Sequence, residues 1–202
     1  MSDHYRTLAA PAELRHKIER SEFLGIAFPA TSEEQFFAEL ERIQKRFFDA
    51  THHCWAFRLF AESRARSSDA GEPSGTAGKP ILAAIEGAGL FDAAVVVVRW
   101  FGGIKLGTGG LSRAYRETAA GTLRNAALVD RYVYERVRVI VPFEATGSAY
   151  RLVNPPDVVL AGEEYGEENV FEFNVRSSIV DAFTARLREL RLREAGATPP
   201  SR

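Results

Sequence analysis

Residues 93–111 read AAVVVVRWFGGIKLGTGGL and form the most informative stretch of the chain. The aliphatic run at its start predicts a strand from Ala93 to Phe101. Five of the chain's 16 glycines follow within residues 102–110. A helix is predicted to begin at Leu111 and to continue to about Leu128. The stretch is therefore a strand, a glycine-rich connection and a helix.

The glycines allow successive backbone N–H groups to converge, and the following helix adds the free N–H groups of its first turn. This arrangement predicts an anion-binding site, with phosphate as the expected anion. The alternative is a tight connection in which the glycines serve only backbone geometry. The segment matches neither a Walker loop nor the dinucleotide-binding fingerprint, which disfavours P-loop NTPases and Rossmann dehydrogenases. The residues predicted to bind phosphate are Lys79, Arg99, Gly102, Gly103, Lys105, Gly107, Gly109, Gly110, Arg113 and Arg116.

The helix that follows the glycines has two different faces. At 100° per residue, one side carries Leu111 and Tyr115, which we expect to pack. The opposite side, called the arginine face below, carries Arg113, Arg116 and Arg124. The arginine face is a candidate contact for phosphate groups, and the alternative is a solvated surface.

Upstream of this segment the pattern predicts strands and helices. A helix is predicted from Thr31, which begins a sequence with the spacing of a capping box. A second helix is predicted with Pro80 at its first position and a glycine, Gly87 or Gly89, at its end. The predicted strands are Leu14–Glu19, Ser21–Phe28 and His52–Phe60.

Residues 61–78 are rich in Ser, Gly, Asp and Pro, and we predict a long surface loop that is too polar for the core. The end of this loop offers carboxylates and hydroxyls that can orient a ligand, or can equally cap helices and fill turns. The candidates for a pocket are Asp69, Glu72, Thr76 and, from the preceding strand, His53.

His52, His53 and Cys54 raise the question of a metal site or of a thiol nucleophile. A zinc site needs three or four ligands, and the chain has four histidines and one cysteine in all. The pattern instead favours a half-buried strand with a hydrogen-bonded histidine and a small buried thiol. We therefore predict no metal, no cofactor and no catalytic residue.

After Asp130 the pattern restarts, and we predict two domains, residues 1–129 and residues 130–202. A strand with Val137, Val139 and Val141 on one face comes first. The predicted elements that follow are a short helix at 146–153, strands at 157–161 and 170–176, and a helix at 179–191. This order predicts a split β-α-β sheet with helices on one face. Residues 195–202 offer no good candidate for its last strand, and we expect a frayed tail there.

Composition sets limits on the class of protein. The 202 residues, 46% apolar and 26% charged, fit one or two compact domains. A net charge of −1 argues against a protein that binds polyanions over its whole surface, although a local basic patch stays open. The single cysteine suits a reducing cytoplasm, and no secretion signal or membrane span is predicted. The oligomeric state stays open.

Three segments carry a resemblance to a known family: HHCWA at 52–56, DAGEPSGTAGKP at 69–80 and RWFGGIKLGTGGL at 99–111. They are similar to the signature of the Impact family, in its bacterial YigZ branch, and the resemblance covers about residues 15–128. The remaining residues resemble the small C-terminal domain of that branch, itself similar to the last domain of elongation factor G. The chain departs from the family pattern at Ala70, usually a second aspartate, and at Trp100, usually tyrosine.

The resemblance implies an α+β protein with two domains. The first is a ribosomal-protein-type β-α domain like that of the GHMP kinases, and the second is ferredoxin-like. For the bacterial branch it implies association with nucleic acid or the ribosome and no established reaction. Eukaryotic members regulate translation by competing for an activator of an initiation-factor kinase, through an extra domain without a counterpart here.

Three functions follow as hypotheses. The first is a cytoplasmic, non-catalytic binding protein linked to regulation of translation, which contacts RNA or the ribosome through the glycine-rich loop and the arginine face. The second is an enzyme of unknown reaction acting on a nucleotide or another phosphorylated small ligand, with Glu72 or Asp69 as base and Lys79 or Lys105 stabilising charge. The third is a module that binds only a protein partner, for example one in translation control.

Overall fold

The computed structural model describes residues 3–197. These residues form two compact units. The first unit is Arg6–Asp130, and the second joins residues 3–5 to residues 131–197. The chain passes between the units in β1 (His4–Leu8) and β7 (Leu128–Tyr132), which form a two-stranded sheet. The predicted domain boundary lies between residues 129 and 130. The first compact unit instead ends at Asp130, and residues 3–5 belong to the second unit.

The first unit is built on a five-stranded antiparallel sheet with the strand order β2-β3-β6-β4-β5. Its strands are β2 (Ala12–Ile18), β3 (Ser21–Pro29), β4 (His52–Leu59), β5 (Arg64–Ser68) and β6 (Ala93–Trp100). The central strand β6 is covered on both faces, because Ala93, Val95 and Val97 pack into one apolar core while Ala94 and Val96 pack into the other. Two covered faces explain why this strand is an uninterrupted apolar run in the sequence.

Helices cover both faces of this sheet. On one face, α1 (Glu33–Arg46) packs through Phe36 and Leu40. On the other face, α2 (Gly78–Gly87) and α3 (Gly107–Arg124) pack together. The predicted packing side of α3 is confirmed, since Leu111, Tyr115 and Thr118 are buried, while Arg113, Arg116 and Arg124 are exposed.

The N-cap of helix α1 (Glu33–Arg46) lies one residue later than predicted. Ser32, and not Thr31, is its N-cap, because Ser32 has extended backbone and its Oγ accepts the N–H of Gln35 at 3.3 Å. The Gln35 side chain in turn accepts the Thr31 N–H at 3.0 Å. The pattern is that of a capping box in which Gln35 takes the role predicted for Glu34, except that its side chain bonds the N–H of Thr31, one residue before the N-cap.

The prediction of a surface loop over residues 61–78 is correct only in part, because residues 69–77 are irregular but the segment also contains a strand and buried residues. Residues 64–68 form β5, which pairs with β4 and so satisfies backbone groups that β4 would otherwise leave open. Glu72, Thr76 and Ala77 beyond it are buried. The polar composition favoured a loop over a strand because Arg64 and Arg66 lie at the surface, where they form ion pairs with Glu33.

Two helices also begin earlier than predicted. Helix α2 starts at Gly78, so Pro80 is its third residue, a position where the missing N–H is still harmless. Helix α3 starts at Gly107 and ends at Arg124. The glycine-rich segment is therefore part loop and part first helical turn.

The second unit has a four-stranded antiparallel sheet with the order β11-β8-β10-β9. Its strands are β8 (Tyr134–Val141), β9 (Val158–Glu164), β10 (Asn169–Arg176) and β11 (Arg193–Ala197), and its α-helices are α4 (Thr146–Tyr150) and α5 (Val180–Glu189). Val137, Val139 and Val141 are buried, as the alternation predicted. The order β-α-β-β-α-β is that of a complete ferredoxin-like unit.

The absence of a last strand was a wrong prediction, because β11 pairs antiparallel with β8. Its sequence, REAGA, has no apolar alternation, so only backbone pairing with a neighbour reveals it. The predicted frayed tail beyond residue 197 lies outside the described residues. Between residues 3 and 197, no helix is long and apolar enough to cross a bilayer.

Replacing the N-cap of α1 separates the two capping assignments. We expect Ser32→Ala to lower the free energy of unfolding by about 1 kcal/mol, because it removes the bond to an otherwise free N–H. Thr31→Ala, the matched control, removes only an exposed bond to Gln35 and is expected to cost less. Urea denaturation of both variants measures the difference. A larger loss for Thr31→Ala would reverse the assignment.

Candidate functional site

The first unit contains a cavity of about 410 Å³ between the start of α3, the start of β4 and the end of β6. Its walls carry both polar and apolar side chains. The lining residues are Thr51, His52, Glu72, Pro73, Arg99, Phe101, Lys105, Leu106, Gly107, Thr108 and Leu111. This volume is in the range of small-ligand sites in proteins.

A buried ion pair lines this cavity. Arg99, near the end of β6, donates from Nη1 to Glu72 Oε1 at 2.7 Å, and the two side chains are 5% and 3% exposed. The Tyr115 hydroxyl, from α3, donates to the same carboxylate oxygen at 2.6 Å. Arg99 Nη2 reaches Ser21 Oγ at 3.2 Å. Glu72 thus balances the charge of Arg99 inside the protein, and Arg99 is not a free cation for phosphate.

Tyr115 and Cys54 are held in their neutral forms. Burial raises the pKa of the Tyr115 hydroxyl far above its ordinary value, and the neighbouring Cys54 and Glu72 raise it further. Burial likewise raises the pKa of the Cys54 thiol to about 12. The thiol lies 2.9 Å from the carbonyl oxygen of Asp69. Cys54 is therefore a small buried thiol, as predicted, because a nucleophile would need the thiolate.

Asp69 shapes the loop that carries Glu72. Its carboxylate accepts the backbone N–H groups of Gly75 at 2.8 Å, Ala77 at 2.9 Å and Gly78 at 2.8 Å. Burial alone raises the pKa of Asp69, but these three donors, with Lys79, outweigh it and hold the pKa below its ordinary value. Because both oxygens are engaged in the loop, Asp69 is not placed to act as a base in the cavity.

Of the two adjacent histidines, His52 lines the cavity and His53 does not. His52 Nδ1 lies 3.0 Å from the Ala70 carbonyl oxygen, and its Nε2 lies 3.9 Å from Glu72 Oε1. His53 Nε2 instead lies 3.1 Å from the Phe47 carbonyl oxygen, and burial lowers the pKa of His53. The alternation of side chains along β4 could have distinguished them, because His52 shares its face with Cys54, which packs near Tyr115.

The glycine-rich segment supplies the remaining wall. A Cβ atom at Gly102 would lie 1.8 Å from the Arg20 carbonyl oxygen, so glycine is needed there for close backbone approach. At Gly107 a φ of 70° is readily adopted only by glycine. No side chain caps the start of α3 after Leu106, so its first-turn N–H groups lack side-chain partners. These N–H groups and Lys105 are the donors that the glycine-rich segment brings to the cavity.

The structure brings only part of the predicted set together. Glu72, Arg99, Lys105 and Gly107 line the cavity. Thr76 is buried and donates to the Pro73 carbonyl at 2.6 Å, so it stabilises the loop. The predicted residues that do not line the cavity are Asp69, Thr76, His53, Lys79, Gly102, Gly103, Gly109, Gly110, Arg113 and Arg116. The assignment of a ligand to these residues stays a prediction.

Arg116 lies at a second hollow of the first unit. That hollow, of about 490 Å³, is also lined by Arg6 and Arg124. Arg116 and Arg124 therefore lie away from the cavity at the start of α3, and Arg113 lines neither hollow. Within residues 3–197, no group of three or more His, Cys, Asp or Glu side chains is placed to hold a metal.

The buried ion pair gives a test of the site's architecture. We expect Arg99→Met to lower the free energy of unfolding by about 3–5 kcal/mol, because it leaves the Glu72 carboxylate buried without a counter-charge. Arg42→Met is the matched control, because it breaks an exposed pair with Glu39 that contributes under about 1 kcal/mol. Chemical denaturation measures both, and equal losses would contradict the role given to the buried pair.

The Asp69 carboxylate predicts a dependence of stability on pH. Because its pKa is lower in the folded chain than its ordinary value of 3.8, its contribution is complete above that value and is lost as pH falls below it. Asp69→Asn should cost about 1.5–3 kcal/mol at pH 7, the range for hydrogen bonds to a charged group. Unfolding measured near pH 7 and near pH 3 should show a smaller difference between the two proteins in acid. A constant difference would show that the carboxylate charge is unimportant.

Comparison with known proteins identifies the family. The family model for the Impact N-terminal domain matches residues 19–123. The IMPACT family member YvyE of Bacillus subtilis (strain 168) is 31% identical over 191 residues, which cover 94% of this chain and 88% of YvyE. The IMPACT family member YigZ of Escherichia coli (strain K12) is 42% identical over 110 residues, which cover 53% of this chain and 54% of YigZ.

A solved structure supports the fold over the whole chain. The crystal structure of a protein described only as hypothetical is 27% identical, covers 98% of this chain and 99% of its own, and has a TM-score of 0.70. The family model and the long match to YvyE each cover at least half of the sequence. The chain therefore belongs to the Impact family.

Proposed function

We propose that the chain is a non-catalytic binding protein that associates with RNA or the ribosome and is linked to regulation of translation. In this proposal, a phosphate group binds at the start of α3. The observation that carries it is the cavity itself, whose wall combines Lys105 with the uncapped first turn of an 18-residue helix. The N-terminus of such a helix attracts anions through its free N–H groups and its dipole.

The charges around the cavity support a local interaction with phosphate. Arg99 is neutralised by Glu72, so Lys105 provides the unbalanced positive charge on the wall. Lys105 and Arg113 are exposed, and neither has an ion-pair partner among residues 3–197. Because the whole chain carries a net charge of −1, binding would depend on individual exposed cations such as these.

The proposed link to translation and the proposed cytoplasmic location rest on family membership and on the free thiol. Membership of the Impact family, whose eukaryotic members regulate translation, supports the link. The single free thiol, Cys54, suits a reducing compartment, and we place the protein in the cytoplasm. A protein partner in translation control is the outcome to pursue if no nucleic acid binds.

An enzyme acting on a phosphorylated small ligand is the second candidate, and one observation favours it. Glu72 places a buried carboxylate on the wall of a cavity that fits a single small ligand. Since Asp69 is engaged by the loop and Lys79 lies outside the cavity, Glu72 and Lys105 are the residues left for such chemistry. Thermal-shift measurements with nucleotides and phosphorylated metabolites test this alternative. The enzyme hypothesis requires that one of these ligands raise the unfolding temperature in a saturable manner, and that the Glu72→Gln variant still show this effect.

Fluorescence anisotropy with labelled single-stranded RNA tests the first proposal. We expect the Lys105→Ala, Arg113→Ala double variant to weaken binding for every RNA sequence. We also expect it to release about two fewer counterions on binding, which makes the affinity less dependent on salt. Lys45→Ala is the matched control, because Lys45 is an exposed lysine on α1, at the opposite face of the sheet. Equal affinity of wild type and double variant at low and near-physiological salt would contradict the proposal. Easy displacement of RNA by free nucleotides would favour the second candidate.

A further inference from the structure

The ring of His52 presents a hydrogen-bond acceptor to the cavity. Its Nδ1 lies 3.0 Å from the Ala70 carbonyl oxygen. A carbonyl oxygen only accepts, so Nδ1 must carry the proton that is donated to it. In the neutral ring the other nitrogen, Nε2, then carries a lone pair and no proton. The backbone at Ala70 thus fixes the tautomer of His52.

No donor among residues 3–197 satisfies this lone pair. Glu72 Oε1 lies 3.9 Å from His52 Nε2, which is too long for a hydrogen bond. That oxygen already accepts from Arg99 and Tyr115, and a carboxylate paired with arginine has no proton to give. Two acceptors therefore lie side by side on one wall. A bound group that donates a hydrogen bond would satisfy the histidine.

The start of α3, in contrast, offers hydrogen-bond donors to the cavity. There Lys105 and the first-turn N–H groups of the helix are donors. The Phe101 side chain, 46% exposed, adds an aromatic surface on which a base can stack. The cavity therefore offers a place for a phosphate, a place for an apolar ring and a place for a hydroxyl.

We infer that His52 Nε2 accepts a hydrogen bond from a ribose 2′-hydroxyl, so that this cavity binds RNA in preference to DNA. The inference rests on the proposed function, since it takes the phosphate at α3 to belong to a nucleic acid. The 2′-hydroxyl is the donor that RNA has and DNA lacks. A base amino group is the other donor that could meet the histidine, and the experiment below separates the two.

The experiment measures the affinity of wild type for three oligomers of one sequence: RNA, 2′-fluoro RNA and DNA. A 2′-fluorine keeps the sugar of RNA but cannot donate a hydrogen bond. We expect RNA to bind about 5- to 10-fold more tightly than either of the others, the effect of one hydrogen bond. If a base amino group were the donor, RNA and 2′-fluoro RNA would bind equally.

Variants at position 52 connect this preference to the histidine. His52→Phe removes the acceptor while keeping an aromatic ring, and the ratio of affinities for RNA and 2′-fluoro RNA should fall to about one. His52→Gln offers an amide oxygen as acceptor and should restore part of the preference. Lys105→Ala should weaken the binding of all three oligomers by a similar factor, because it removes a contact with the phosphate that they share. Circular dichroism and thermal unfolding show whether each variant is folded.

The outcomes separate the inference from the proposal that it extends. Equal binding of RNA and 2′-fluoro RNA by wild type would overturn the inference and leave the proposed function standing. A preference that survives in His52→Phe would also overturn it. If wild type bound none of the three oligomers, the proposed function would fail and the inference with it.

Discussion

The ion pair between Arg99 and Glu72 is the interaction on which the cavity depends. A buried charge is tolerated only when it is paired and hydrogen-bonded, so the segments that supply these groups must stay together. Arg99 comes from β6 and Glu72 from the connection before α2, while the Tyr115 hydroxyl brings in α3. Ser21 Oγ, at the start of β3, contacts both Arg99 and the N–H of Gly102. Four segments of the chain are thereby held together around one ion pair.

The cavity has hydrogen-bond acceptors on one side and hydrogen-bond donors on another. The acceptors His52 and Glu72 lie beside the end of β6, whereas the donors lie at Lys105 and in the first turn of α3. Because Arg99 neutralises Glu72, the ion pair carries little net charge, and the polarity of the cavity comes from the separate positions of its donors and acceptors. Under the proposed function, a ligand with an anionic end and a donor group would suit such walls better than a simple anion. The helix start alone would not make this distinction.

Several elements could be predicted from the sequence because their signals are local. The apolar run of β6, the buried side of α3 and the alternation of valines in β8 all reflect burial by regular periodicity. The strand β5 was not predicted because it is short, polar and at the edge of the sheet, where its extended conformation depends on pairing with β4. The roles of Asp69 and His52 depended on contacts with backbone groups at Gly75, Gly78 and Ala70. Such contacts bring side chains to backbone groups whose positions only the folded loop defines, so composition and spacing did not reveal them.

The burial of Cys54 has a practical consequence for work on this protein. It is the chain's sole cysteine, and with a pKa of about 12 it stays protonated and unreactive toward alkylating dyes at neutral pH. A second cysteine placed on the surface would therefore be labelled selectively without removing the native one. Gly109 is a suitable position, since a Cβ atom there meets nothing within 4 Å and the residue lies in the first turn of α3. A fluorophore attached there would report on occupancy of the neighbouring cavity in the otherwise unaltered chain.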